Sequence, residues 1–230
     1  MMRFLTLALL VLVLAAPASA QDRREPRLRP AANPSAVIAR ELEFAQAAQD
    51  KGQWTAFREF ASEDAVMFVP QAVFAQEWLR NRTNPAVSVT WQPAEVWSSC
   101  DGSLVVSQGA WQCPDSVGYF TTIWERQRDG PYMWVLDHET VLDQPRILPE
   151  MIPGHVAECP ASGRPSRLGS VAGGNSPDLA NLVGRSRDGT MTWSAIAAPD
   201  GSQSLKIEWR QDGAMQLLMT EQLVAPGTRD

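Results

Sequence analysis

The change from helical to strand periodicity between residues 36 and 142 is the feature that most constrains the fold of this chain. Apolar residues first recur at helical spacing in two stretches separated by Gly52, and then alternate as in strands. Asp-Gly pairs, typical of tight hairpin turns, lie in two of the connections. Helices followed by an antiparallel meander predict an α+β domain. The predicted strands are 65–69, 87–99, 104–112, 119–127 and 132–142, with a short third helix at 76–79.

A second region of strand periodicity lies at residues 179–225, after a proline-rich, irregular linker at residues 143–178. Three Asp-Gly pairs recur there every twelve residues, which predicts a small antiparallel β meander of four strands. A lone sheet of this size is marginally stable, so we expect its apolar face to pack on the first domain. The alternative is that this face binds another protein. The residues of the apolar face are Met191, Trp193, Leu205, Ile207 and Trp209.

Residues 1–20 have the three parts of a secretory signal peptide. Arg3 precedes an apolar run from Phe4 to Ala16, and small residues surround the expected cleavage point after Ala20. The run is shorter than the roughly 20 apolar residues that span a bilayer, and an uncleaved anchor is the alternative. We therefore expect a flexible lead-in at residues 21–35 and an exported protein, periplasmic or secreted, with no membrane association after cleavage.

Charge and cysteine content exclude several classes of partner. The chain has a formal net charge of −6 and no basic runs, which argues against nucleic acid as a partner. Its three cysteines and two histidines show no metal-site spacing, so we expect neither a metal nor another cofactor. Cys113 lies beside a turn at the sheet end from which the connection to Cys159 starts. We therefore predict a disulfide between these two residues and a free Cys100.

The first domain also contains a run of phrases that are distinctive in combination. They are Gly52-Gln53-Trp54 with Ala56-Phe57, Glu63-Asp64-Ala65-Val66 through Phe68-Val69-Pro70, Trp91-Gln92-Pro93, Ser107-Gln108-Gly109-Ala110-Trp111, Gly118-Tyr119-Phe120-Thr121-Thr122-Ile123-Trp124 and Trp134-Val135-Leu136-Asp137-His138. In this order they resemble the nuclear transport factor 2-like superfamily, and within it the exported SnoaL-like group. The resemblance covers residues 36–142, about half of the mature chain.

The resemblance implies a cone, in which a strongly curved antiparallel sheet wraps around the N-terminal helices and leaves a pocket between them. It also implies that two copies can form a homodimer through their sheets. Members of the superfamily include isomerases, dehydratases and hydrolases beside binding and assembly modules, so the fold alone leaves the function open.

Two adjacent residues of the last strand in the first domain are candidate catalytic groups. Side chains alternate between the faces of a strand, so Asp137 and His138 cannot both line the same pocket. In an apolar pocket Asp137 would have a raised pKa and could act as a general base or a protonated acid. The pKa of His138 lies near working pH, which also suits proton transfer. The alternatives are a structural hydrogen bond for Asp137 and simple packing for His138.

Tryptophans in the predicted sheet indicate the wall of the pocket. Indoles offer a large apolar area and one donor, which suits a small apolar or aromatic ligand, and core packing is the alternative. The predicted pocket residues are Trp91, Trp111, Trp124, Asp64 and Tyr119, and Asp64 could instead cap a turn.

We therefore expect a small-molecule-binding or interaction module of the cell envelope. The alternative is a cofactor-free acid/base enzyme of the isomerase, dehydratase or hydrolase type that uses a carboxylate in the cone. Convergence of two or more polar groups in the pocket would favour the enzyme.

Overall fold

A computed structural model of the chain describes residues 32–128, 130–160 and 178–223. The predicted signal peptide, most of the lead-in and the second half of the predicted linker lie outside these residues. None of the helices in the described ranges is long and apolar enough to cross a membrane.

Two helices form one layer of the first domain. Helix α1 (Pro34–Lys51) and helix α2 (Gln53–Phe60) meet at Gly52, whose φ of 96° lies in the left-handed region that favours glycine. A Cβ at this position would also collide with the side chain of Asn84, so the predicted break requires glycine. Helix α1 starts at Pro34, because proline fits the first turn of a helix.

The first sheet has seven strands and is curved around these helices. They are β1 (Ala61–Phe68), β2 (Ala72–Phe74), β3 (Thr90–Ser98), β4 (Leu104–Cys113), β5 (Ser116–Arg126), β6 (Tyr132–Leu142) and β7 (Gly154–Val156), and helix α3 (Ala75–Leu79) follows β2. Strands β3 to β6 are antiparallel neighbours, as predicted. Strand β1 pairs parallel with β6, and β7 pairs parallel with β3, so the sheet as a whole is mixed.

An aromatic core joins the helices to the inner face of this sheet, the face that points toward α1 and α2. The ring of Phe44 lies 4.9 Å from those of Phe57 and Phe60 and 4.7 Å from that of Trp91, measured between centroids. Burying each such ring contributes about 1.5–3 kcal/mol to stability. This core fixes the helices over the sheet and therefore fixes the walls of the space between them.

The C-terminal region forms a second, antiparallel sheet, as predicted. Its strands are β8 (Asn181–Arg185), β9 (Met191–Ala197), β10 (Gln203–Gln211) and β11 (Ala214–Leu223), in the order β11-β10-β9-β8. The glycines of the three Asp-Gly turns, Gly189, Gly201 and Gly213, all have positive φ. Each turn thus uses the conformational freedom that its glycine provides.

The second sheet packs on the outer face of the first sheet, the face that points away from the helices. Leu205 and Ile207 of β10 are fully buried in one apolar cluster with Val106 and Ile123 of the first sheet. The predicted packing of the tail on the first domain is therefore confirmed. On the opposite face of the second sheet, Ile196 is 50% exposed.

The predicted disulfide is wrong. The bond joins Cys100 and Cys159, whose Cα atoms lie 5.2 Å apart, and Cys113 is free. The cause is strand β7, which lies in a segment that the sequence indicated as irregular. Because β7 runs parallel to β3, with His155 opposite Trp97, it leads the chain to the sheet end that holds Cys100.

We expect Cys100→Ser to lower the free energy of unfolding by about 2–4 kcal/mol, because the disulfide closes a loop across a sequence separation of 59 residues. The matched control is Cys113→Ser, which removes a thiol that forms no disulfide and should change stability by less than about 0.5 kcal/mol. Urea unfolding of both variants under oxidising conditions measures the difference. A peptide map that links Cys113 to Cys159 would contradict the pairing.

Candidate functional site

A buried acid, Glu41 of α1, lies between the helix and the inner face of the sheet. It is fully buried. Its carboxylate accepts hydrogen bonds from the indole N–H of Trp91 at 2.9 Å, the hydroxyl of Ser107 at 2.6 Å and the indole N–H of Trp124 at 3.1 Å. These donors come from three different strands, β3, β4 and β5, so a single side chain connects α1 to three neighbouring strands of the sheet.

Sequence reasoning missed Glu41, although a signal was present. Val37, Phe44 and Ala48 recur at helical spacing and are buried, and Glu41 lies on the same face, four residues after Val37. A carboxylate inside an apolar stripe needs partners, because burying it alone is costly. An acid at such a position therefore indicates a polar site inside the core.

Burial raises the pKa of Glu41 from 4.5 to about 7. The hydrogen bonds from Ser107 and Trp91 act in the opposite direction and favour the ionised form, whereas the negative charge of Asp137 raises the pKa further. Glu41 thus changes its protonation state near neutral pH.

Two further acids lie on the inner face of β6. Asp137 is 6% exposed and accepts a hydrogen bond at Oδ1 from the hydroxyl of Thr122 at 2.7 Å. Burial raises its pKa, against the opposing effects of Thr122 and His138. Burial and the charge of Asp137 also raise the pKa of Glu139. The side chain of Glu139 is nevertheless open to solvent, which screens part of this effect.

Glu41, Asp137 and Glu139 line one pocket, which is partly open to solvent; about 310 Å³ of space lies within its bounds, with the open solvent included. Thr122 and Val89 complete its polar and apolar edges, and none of the described lining residues is basic. The pocket thus combines aromatic walls with acids that titrate near neutral pH. The aromatic lining residues are Phe44, Phe57, Trp91, Trp111 and Phe120.

Comparison with known proteins gives a likeness in structure only: no family model and no curated protein matches the sequence. A proposed ketosteroid isomerase from Parabacteroides distasonis is 17% identical with a TM-score of 0.38, over 50% of this chain and 97% of that one. Another from Kribbella flavida is 11% identical with a TM-score of 0.35, over 51% and 86% of the two chains. A proposed aromatic ring hydroxylase from Novosphingobium aromaticivorans is 12% identical with a TM-score of 0.34, over 48% and 91%.

The first domain is an α+β cone. Its helices, curved sheet and pocket correspond to the predicted cone, although the parallel pairing of β1 and β7 makes the sheet mixed. At these identities and TM-scores the likeness assigns neither a family nor a function to this chain.

Two of the predicted pocket tryptophans, Trp91 and Trp111, line the pocket of the cone. Trp124 does not line it: this residue is fully buried behind Glu41, and its indole N–H also donates to the hydroxyl of Ser107 at 2.9 Å. Trp124 therefore supports the buried acid and makes no contact with a ligand.

The other two predicted pocket residues lie elsewhere on the cone. Asp64 is exposed on β1. Tyr119 lies on the outer face, where its hydroxyl donates to Oε1 of Gln108 at 3.2 Å and the guanidinium of Arg146 lies 3.7 Å from its ring centroid. The Tyr119 prediction is wrong because its neighbour Phe120 faces the pocket, and strand alternation places Tyr119 on the opposite side.

Asp137 and His138 do face opposite sides of the sheet, and Asp137 faces the pocket. Strict alternation along β6 would place Trp134 on the same face as His138, but Trp134 packs with the helices on the inner face. Because Ile123 pairs with Leu136 and Trp124 pairs with Trp134, Val135 is an extra residue, and this bulge turns Trp134 to the inner face.

His138 belongs to a polar cluster between the two sheets and not to the pocket. Its Nδ1 lies 2.9 Å from Oε2 of Glu221 on β11, whose other oxygen accepts hydrogen bonds from Thr121 and Gln108, both at 2.6 Å. Burial alone would raise the pKa of Glu221, but these hydrogen bonds hold it below its ordinary value. A role for His138 in the pocket is therefore corrected to one in joining the sheets.

No group of three or more histidine, cysteine or acidic side chains in the described ranges is arranged to hold a metal ion. The carboxyl groups of the pocket can exchange protons and attract positive charge, and its aromatic rings can stack on a ligand.

Proposed function

We propose that this chain is an exported protein that binds a small molecule in the cone, between the aromatic rings and the acids of β6. The observation that carries the proposal is the pocket itself, which opens between five aromatic rings and three carboxyl groups. Sites for small ligands have this composition: mostly apolar and aromatic walls with a few polar groups that orient the ligand.

Two observations support export to the periplasm or beyond. The N-terminal sequence has the charge, apolar run and small-residue end of a cleavable signal. The Cys100–Cys159 disulfide is of the kind that persists in oxidising compartments and is rare in the cytosol.

A second candidate function is cofactor-free acid/base catalysis, with Asp137 as the proton-exchanging group. It is favoured by the convergence of Asp137 and Glu139 on one face of β6, where both carboxyl groups have a raised pKa and line the same pocket. Its distinguishing mark would be turnover of the bound molecule that Asp137→Asn abolishes while binding persists.

Native mass spectrometry of the protein purified gently from its own compartment tests the proposal. We expect a mature chain that begins at Gln21, together with a second species heavier by the mass of one small molecule. Trp111→Ala is expected to remove the heavier species, because it opens one wall of the pocket, whereas Asp64→Asn on the exposed part of β1 should retain it. A wild-type protein that carries no adduct and binds nothing from a compartment extract would contradict the proposal.

A further inference from the structure

The described lining of the cone pocket is acidic without compensation. Three carboxyl groups and no lysine, arginine or histidine line it. Two of the acids, Glu41 and Asp137, have side chains that are at least nine-tenths buried. Buried acids are normally paired with a cation or held protonated, since an isolated buried charge is costly. The residues of the pocket therefore supply no cation that could pair with these acids.

One carboxylate oxygen of Asp137, Oδ2, is available to accept a hydrogen bond in the pocket. Thr122 occupies Oδ1, and no hydrogen bond within the described part of the chain reaches the other carboxylate oxygen. The residue is 6% exposed and lines the pocket, so the accessible part of its carboxyl group faces the ligand space. The carboxyl group of Glu41, by contrast, already accepts three hydrogen bonds from the protein, so Asp137 is the better partner for a ligand.

The aromatic rings around the acids point to the same kind of ligand. Five rings surround the free space, two of them indoles, and the faces of indole and phenyl rings attract cations through their quadrupoles. Carboxylates combined with aromatic walls are the chemistry that recognises ammonium groups carrying carbon substituents. Such groups are bulky and weakly hydrated, so they enter an apolar pocket more readily than a metal ion does.

We propose that the ligand of the cone is a small organic cation, a substituted amine or a quaternary ammonium compound, held between the aromatic rings and the carboxylates of Asp137 and Glu139. This inference rests on the proposed function, because it names the ligand class of the same pocket.

The test compares two probes of the same shape and different charge. Choline is a permanent cation, and 3,3-dimethylbutan-1-ol is its neutral isostere, with carbon in place of the charged nitrogen. We expect choline to bind at pH 8 with a dissociation constant roughly tenfold lower than that of the alcohol, measured by titration calorimetry. Because neither probe titrates in this range, a change with pH reports on the protein. The preference for choline should decline toward pH 5 as the carboxylates become protonated.

Three variants test whether the preference for choline depends on the carboxylate of Asp137. Asp137→Asn keeps the shape and removes the charge, so it should abolish most of the preference for choline while affinity for the alcohol stays unchanged. Asp64→Asn, the same exchange at an exposed position of β1, should leave the preference intact. Thr122→Val, which removes the hydrogen bond to Oδ1, should reduce the preference without abolishing it.

Three outcomes would overturn the inference. They are equal binding of both probes, binding of neither probe, and a choline preference that survives in Asp137→Asn. Failure here is separable from failure of the proposed function, since an adduct of a neutral molecule in the native mass spectrum would leave the binding role standing with a different ligand class.

Discussion

Replacement of Glu41 by leucine is expected to lower the free energy of unfolding by about 3–6 kcal/mol, a large fraction of the roughly 5–15 kcal/mol that stabilises a typical domain. The leucine fills the space but leaves the indole N–H of Trp91 and the hydroxyl of Ser107 without their acceptor, and takes one of two acceptors from Trp124. Glu41→Gln keeps one acceptor oxygen and should lower stability by a smaller amount, about 1–3 kcal/mol. Urea unfolding ranks the variants.

The pH dependence of the same variants gives a sharper test. The pKa of Glu41 is about 7 in the folded protein and 4.5 in the reference state, so the folded protein binds the proton more tightly. The contribution of Glu41 is thus fully present below pH 4.5 and is lost as pH rises through 7. For this group alone, stability should fall by roughly 3 kcal/mol between those limits. Glu41→Gln should remove that part of the slope.

Glu43→Gln is the matched control, because Glu43 lies on the same helix with its side chain 62% exposed and forms an ion pair with Arg40. It should shift stability by less than about 0.5 kcal/mol at any pH. If the wild type instead gained stability from pH 5 to pH 8 and Glu41→Gln did not, Glu41 would be an ionised partner in the folded protein. The interpretation of a neutral buried acid would then be wrong.

The second large effect is expected from Ile207→Asp, which places a charge in the fully buried cluster between the two sheets. A buried unpaired carboxylate is among the most destabilising single changes, so we expect a loss of about 4 kcal/mol or more. Because both sheets share this cluster, calorimetry should show one unfolding transition in the wild type and one transition, at much lower temperature, in the variant.

Ile196→Asp makes the same exchange in the same sheet on its exposed face and should change stability by less than about 0.5 kcal/mol. If Ile207→Asp abolished only a minor transition and left the main one in place, the tail sheet and the cone would be separate folding units. The inter-sheet cluster would then contribute little to the stability of the cone.

Local periodicity was sufficient to predict most of the secondary structure. The strands β4 and β6 were located almost to the residue because alternation and Asp-Gly turns are local signals. Strand β7 was missed because it is three residues long and lies in a proline-rich segment, and only its pairing with β3 makes it a strand. The wrong disulfide follows directly from that omission.

The candidate site was predicted only in part, for a similar reason. Asp137 could be placed among the candidates because an acid in an apolar strand is conspicuous, but its face relative to Trp134 depended on a bulge that pairing alone reveals. Glu41 lies almost a hundred residues away from Asp137 in the chain. Its role as an acceptor for three strands arises only when the sheet curves over α1. Alternation within a single strand cannot report such long-range convergence.

The tail sheet covers the outer face of the cone, and the connection between them is covalent. A cover supplied by a second subunit would dissociate on dilution, and the stability of the protein would then depend on its concentration. Here the apolar residues of that face are covered by the same chain at a fixed effective concentration. The fold therefore keeps its outer face covered even when very few copies are present.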